Sequence, residues 1–137
     1  MDTKNYISAT EFLMGRDVAA PPTPEMIGNY NTLIPRVNEM LELFFKANPN
    51  ASRLSVNSGY RTPEVNAATK GAAPQSNHMR CAAVDLRDDD RLLSKWMLAN
   101  LKAMETIGLW MEDPKSTPTW VHFQIFPPKS GRRVYLP

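Results

Sequence analysis

The chain holds two histidines, His78 and His122, and each lies beside a short apolar run. His78 falls in Gln75-Ser76-Asn77-His78-Met79-Arg80-Cys81, and Asp85 follows within Ala82-Ala83-Val84-Asp85-Leu86. His122 lies in Trp120-Val121-His122-Phe123-Gln124. A run that reads as a fully buried strand makes its lone carboxylate conspicuous, because a buried charge needs a partner. Two imidazoles and one carboxylate are a set that holds catalytic zinc with a fourth position left open. The same composition also makes the iron(II) site of non-haem oxygenases. Such iron sites place the first histidine and the acid about two positions apart, whereas His78 and Asp85 are seven apart, so zinc ranks above iron. Structural readings compete: a histidine in a strand is more often a hydrogen-bonded core residue, and Asp85 could cap the turn that follows. Residue type and spacing alone leave these readings about even.

The elements that must position these residues are legible in part. Ser8-Ala9-Thr10-Glu11 has capping-box spacing and predicts a short helix through Phe12 and Leu13 to Gly15. Thr23-Pro24-Glu25 starts a second helix with a cap, a proline in the first turn and an acid at the positive end. Met26, Ile27, Tyr30, Leu33, Ile34, Val37, Met40, Leu41, Phe44 and Phe45 recur along it at helical spacing and read as core. Pro35 should kink or interrupt this helix, and Asn48-Pro49-Asn50 ends it. Arg53 to Ser58 alternates like a half-buried strand. Thr62-Pro63-Glu64 starts a short helix running to Gly71, and a small-residue loop leads to His78. Asp88-Asp89-Asp90 predicts the cap of one helix carrying Leu92, Leu93, Trp96, Met97, Leu101 and Met104, stopped at Gly108. Leu109 to Met111 and Trp120 to Phe126 read as strands, with a proline-containing loop between them. Helices and strands mix without regular alternation, which predicts an α+β fold with a small, mostly antiparallel sheet flanked by helices.

At 137 residues the chain reads as one domain, 1–137. A chain of this size buries roughly two-thirds of its unfolded surface without a metal or disulfide staple. The single cysteine excludes an intrachain disulfide and leaves the redox compartment open. A net charge of +2 without a basic stripe interleaved with aromatics argues against nucleic acid. No apolar span suggests membrane insertion, and Met1-Asp2-Thr3-Lys4-Asn5 shows no basic-then-apolar leader. The expectation is synthesis in a cytoplasm with release by another route. Lys129, Arg132 and Arg133 near the end read as a solvated tail.

Ser76-x-His78-x-x-Cys81-x-Ala83-x-Asp85 resembles the Ser-x-His-x-x-Gly-x-Ala-x-Asp motif of the zinc D-Ala-D-Ala carboxypeptidases and their relatives, which include phage endolysins that cut between L-Ala and D-Glu. Ser58-Gly59-Tyr60-Arg61, continued by Thr62-Pro63-Glu64-Val65-Asn66, is similar to that family's Ser-Gly-Tyr-Arg segment. Trp120-Val121-His122 is similar to its Trp-Val-His block, and the blocks occur in the family's order over nearly the whole chain. The resemblance implies the hedgehog/DD-peptidase fold, Zn2+ held by His78, Asp85 and His122, and Arg61 pairing with a substrate carboxylate. It implies hydrolysis of a peptide bond in peptidoglycan stem peptides, by an endopeptidase or a D,D-carboxypeptidase. The chain would act as a monomer at the bacterial cell wall, as a phage or prophage lysis enzyme or carried by a phage particle. The alternative is a non-catalytic, zinc-containing cell-wall-binding or phage structural module of the same fold.

Within this resemblance Ser76 would contact substrate or orient its loop, with Gln75 a weaker candidate, and Trp120 would pack the sheet. Two departures stand out. Cys81 replaces the family's glycine, which is harmless if the backbone there does not need positive φ. A thiolate beside the metal could instead coordinate it, but a buried spacer is the expectation. Thr119 stands where many members carry the catalytic acid. The general base is then assigned to Glu112, after the apolar Leu109-Trp110-Met111, with Asp113 second.

Overall fold

In the computed structural model, which describes residues 5–137, five helices and five short strands make an α+β fold. Met1–Lys4, the start of the segment read for a leader, lie outside the described residues. The helices are α1 (Ala9–Leu13), α2 (Pro24–Ala47), α3 (Pro63–Ala68), α4 (Leu92–Leu98) and α5 (Leu101–Ile107). The strands are β1 (Val56–Ser58), β2 (Ala83–Arg87), β3 (Trp110–Glu112), β4 (Trp120–Gln124) and β5 (Val134–Tyr135), in the sheet order β1-β2-β4-β3-β5. The pairings β1–β2, β2–β4 and β3–β4 are antiparallel, and only β3–β5 is parallel. No helix among the described residues is long and apolar enough to cross a membrane.

Local chemistry accounts for the helix starts. Ser8 and Glu11 close a reciprocal capping box on α1, and the Thr23 and Thr62 hydroxyls accept the backbone N–H of Met26 and Val65. Of the kink or interruption expected at Pro35, the interruption does not occur: α2 runs through it as one helix. The carbonyl left without a donor belongs to Asn31, four residues earlier on an exposed position where water can serve it. The helix predicted between Asp88 and Gly108 is two helices. Asn100 turns its amide onto the Trp96 carbonyl at 2.8 Å, offering the backbone a partner outside the helical ladder. Within the expected cap, Asp88 accepts the N–H groups of Leu93 and Ser94 and Asp90 that of Leu92, while Asp89 pairs with Arg87.

Strand alternation divides the sheet into two faces. Val84 and Leu86 of β2, Met111 of β3, and Val121 and Phe123 of β4 join one buried cluster with Leu33, Val37, Met40, Leu41 and Phe44 of α2, and Leu93, Met97 and Met104 of α4 and α5. The intervening residues on the other face are polar. Register aligns Ser58 with Asp85, Asp85 with His122, and Glu112 with Tyr135. Continuing the pairing of Met111 with Phe123 by one residue sets Glu112 beside His122. A single row across all five strands therefore carries Ser58, Asp85, His122, Glu112 and Tyr135 on the face away from the core.

The strand β5 has no counterpart in the sequence expectation, which treated this end as a solvated tail. Lys129 and Arg132 are exposed, but Arg133 lies 4.2 Å over the Trp110 ring and donates to the Leu109 carbonyl, and Tyr135 is buried. At the other end, α1 packs against β1 through the backbone. Tyr60 N–H donates to the Phe12 carbonyl at 2.9 Å, and a Cβ on Gly59 would sit 2.1 Å from that same oxygen. Gly59→Ala should therefore destabilise the fold by about 3 kcal/mol, the upper part of the usual overpacking range. Gly28→Ala, in α2 with nothing near the added carbon, should stabilise it by about 0.5–1 kcal/mol. Urea titrations of the two variants check this contrast, and equal effects would contradict it.

Candidate metal centre

The loop after β1 and the turn before β2 bring the first histidine to the sheet. Ser76 caps a 3-10 turn over Asn77–Arg80 by accepting His78 N–H at 3.2 Å, so its hydroxyl orients the loop. His78 is buried, with Nδ1 2.9 Å from the Gly59 carbonyl and Nε2 3.3 Å from Asp85 Oδ2. A carbonyl only accepts, so Nδ1 carries the hydrogen and the Nε2 lone pair of the neutral ring faces the carboxylate. From β4, His122 sets Nδ1 2.7 Å from Asp85 Oδ1 and Nε2 2.9 Å from Gln124 Oε1. The two imidazole rings meet edge to face at 5.2 Å between centroids.

These three residues form a group of potential metal ligands among the described residues, with donor atoms within 4.8 Å of one another. Two imidazole nitrogens and a carboxylate aimed into one space need a proton or a metal ion between them. Imidazoles whose outer nitrogens are tied to oxygen acceptors are the arrangement that metal-ligating histidines adopt. The donor set fits a small divalent ion with at least one position left for another ligand.

Arg61 stands next to this group. Its Nε donates to Ser58 Oγ at 2.9 Å, one Nη to Asn66 Oδ1 at 3.3 Å, and the other lies 3.6 Å from Asp85 Oδ2. Asn66 is buried and in turn donates to the Ala73 carbonyl, so α3 and the following loop both hold the guanidinium in place. Burial would push the Asp85 carboxyl up, but the charges and hydrogen bonds of His78 and His122 prevail and hold it well below the usual carboxylate range. For His122, burial disfavours the charge, yet the hydrogen bond and charge of Asp85 raise the imidazole to about 8.

A cavity of about 780 Å³ opens over the polar face. It is lined by the three candidate ligands, Arg61, Glu112 and Ser76, with Gln75 exposed in its wall. Trp120, expected to pack the sheet, also lines it. Asp113 does not: its carboxylate accepts the Lys115 N–H in the loop beyond β3. Thr119 is exposed and outside the lining, with its carbonyl bound to Asp88 N–H at 2.8 Å. Gln124 and Tyr135 line the cavity without having been singled out in the sequence. Gln124 was findable, since two residues beyond His122 in a strand is the same face. For Tyr135, isolated in a short strand after a proline-rich loop, there was no such signal.

Cys81 has φ +55°, so the glycine it replaces is the residue this backbone favours. It is buried, outside the potential ligand group, and its thiol is pushed up to about 11 by burial. The spacer reading agrees with this environment, though the backbone does require positive φ.

The family described as Peptidase M15 matches residues 24–123, and the chain belongs to that family. Membership makes it a metal-dependent peptidase by class, with a peptide as substrate. No curated protein and no solved structure matches the chain.

Two outcomes follow. A β-branched side chain suits the left-handed region far less than cysteine does, so Cys81→Val should cost about 2 kcal/mol or more. In Cys81→Gly, relief of strain and loss of a buried side chain should offset to within about 1 kcal/mol. Thermal unfolding of both variants checks this. A proton and a metal ion also compete for His122 Nδ1, whose pKa near 8 means the proton is held below that pH. Metal affinity, measured by competition with a chromophoric chelator, should therefore tighten by up to ~10-fold per pH unit approaching pH 8, then level off. A flat profile from pH 6.5 to 8 would contradict this.

Proposed function

We propose that the protein is a zinc-dependent peptidase of bacterial cell-wall stem peptides, with His78, Asp85 and His122 as metal ligands and Glu112 as general base. The observation that carries this reading is the paired orientation of the two imidazoles. Each has its outer nitrogen committed to an oxygen acceptor, Gly59 or Gln124, leaving its other nitrogen toward Asp85. Zinc held there would lower the pKa of a bound water from 15.7 to about 7 and stabilise negative charge developing on the scissile carbonyl oxygen.

The chain's own residues supply the remaining work. The Glu112 carboxylate shares the cavity and neighbours His122 across β3 and β4. It takes the proton of the attacking water and returns it to the departing amine nitrogen. Asp113 is less suited, because its carboxylate is engaged outside the cavity. Arg61, fixed by Ser58 and Asn66, presents its guanidinium edge to a substrate carboxylate. Arg61, Lys70 and Lys129 line the cavity against Asp85 and Glu112, a balance that with a divalent ion favours an anionic peptide. Stem peptides with free α-carboxylates have that character, which supports action at the cell wall, as in phage lysis.

The decisive experiment incubates the zinc-loaded protein with purified peptidoglycan and identifies new termini by mass spectrometry. New amine and carboxyl termini in the stem are expected, and their positions distinguish endopeptidase from carboxypeptidase action. Glu112→Gln should retain about one zinc per chain while kcat falls by about 10²–10⁴-fold, whereas His122→Ala should lose both metal and turnover. Zinc retained by wild type with no new termini would identify a non-catalytic wall-binding module instead.

A further inference from the structure

We infer that Gln124 is a positioning residue that fixes the tautomer of His122, and that Tyr135 locks Gln124 in the orientation this requires. The inference rests on reading His78, Asp85 and His122 as the metal site. It begins at the far end of the Gln124 side chain, where Nε2 donates to the Phe126 carbonyl at 2.7 Å. A carbonyl cannot donate, so the amide must present its NH2 to Phe126 and its oxygen to the opposite side.

On that side Oε1 lies 2.9 Å from His122 Nε2 and accepts the Tyr135 hydroxyl at 2.5 Å. An oxygen facing Nε2 calls for a hydrogen there, so when a metal ion displaces the hydrogen that Nδ1 shares with Asp85, the ring keeps its Nε2–H tautomer. Both lone pairs of Oε1 are then occupied. A rotated amide would set oxygen against the Phe126 carbonyl and withdraw the acceptor from both His122 and Tyr135. Gln124 and His122 are each buried, leaving little water to replace a lost partner. The orientation of a metal ligand is thus set by the Phe126 carbonyl, through one amide, with a residue of β5 holding that amide.

The experiment uses the full chain as wild type, Gln124→Leu and Gln124→Glu, with zinc affinity read by chelator competition. It adds the ¹⁵N NMR signature of the His122 ring in the zinc-loaded proteins, which shows the ring nitrogen that keeps its hydrogen. Wild type should show hydrogen on Nε2. Gln124→Leu should bind zinc about 10–100-fold more weakly, the usual cost of losing a partner behind a metal ligand. Gln124→Glu keeps an acceptor at that place and should bind within about threefold of wild type or tighter.

Hydrogen on Nδ1 in wild type overturns the inference, and this measurement stands even if Gln124→Leu fails to fold. Unchanged zinc affinity in Gln124→Leu overturns it too, and so does an equal loss in Leu and Glu variants, which would mark a packing role. A wild type that binds no zinc rejects the metal reading instead.

Discussion

Asp85 lies in β2 with its carboxylate buried between two imidazoles and a guanidinium, and much of the surrounding structure serves that placement. Its oxygens lie 2.7 Å from His122, 3.3 Å from His78 and 3.6 Å from Arg61. A carboxylate removed from water is expensive unless positive charge or hydrogen-bond donors surround it. Each neighbour comes from a different element: β4, the turn before β2, and the loop after β1. Together they tie three segments distant in sequence to one buried charge.

The sheet meets this demand through ordinary alternation. Val84 and Leu86 turn to the apolar cluster, while Asp85 between them turns away, and β4 repeats the pattern with Val121, His122 and Phe123. A rigid core on one side thereby holds a polar row on the other. Residues that hold the site's side chains in place come from the edges: Gly59 and Asn66 near β1 hold His78 and Arg61, and Tyr135 in β5 holds Gln124. The centre of the sheet supplies the reactive groups, and its margins supply their orientation.

How much of this was readable depended on whether the signal was local. Capping residues at Ser8, Thr23 and Thr62 marked helix starts correctly because a cap is a contact over three residues. The histidines and Asp85 were visible because polar groups stand out in short apolar runs. The continuity of α2 through Pro35 depended on an exposed carbonyl, and the break at Asn100 on an amide turned back onto Trp96. Neither follows from hydrophobic periodicity. The strand β5 was hidden for another reason: it is two residues long and owes its existence to pairing with β3. Cys81 shows the limit of motif comparison, since only the backbone reveals that its position has positive φ.

The family match ends at Phe123 and begins at Pro24, while two clasps on the site lie beyond those limits. On one side, α1 and the segment after it grip the Gly59–Arg61 turn: the Phe12 carbonyl takes Tyr60 N–H, Arg16 donates to the Tyr60 carbonyl, and the Tyr60 hydroxyl reaches Ala20. On the other, Tyr135 and the Phe126 carbonyl hold the amide of Gln124. The matched segment thus carries all three candidate ligands with Gly59 and Ser76, which aim His78, while the Gln124 amide that meets His122 lies just beyond it. Grafted alone into another scaffold, residues 24–123 would transplant the donor atoms and the aim of His78, and leave the clasp on His122 behind.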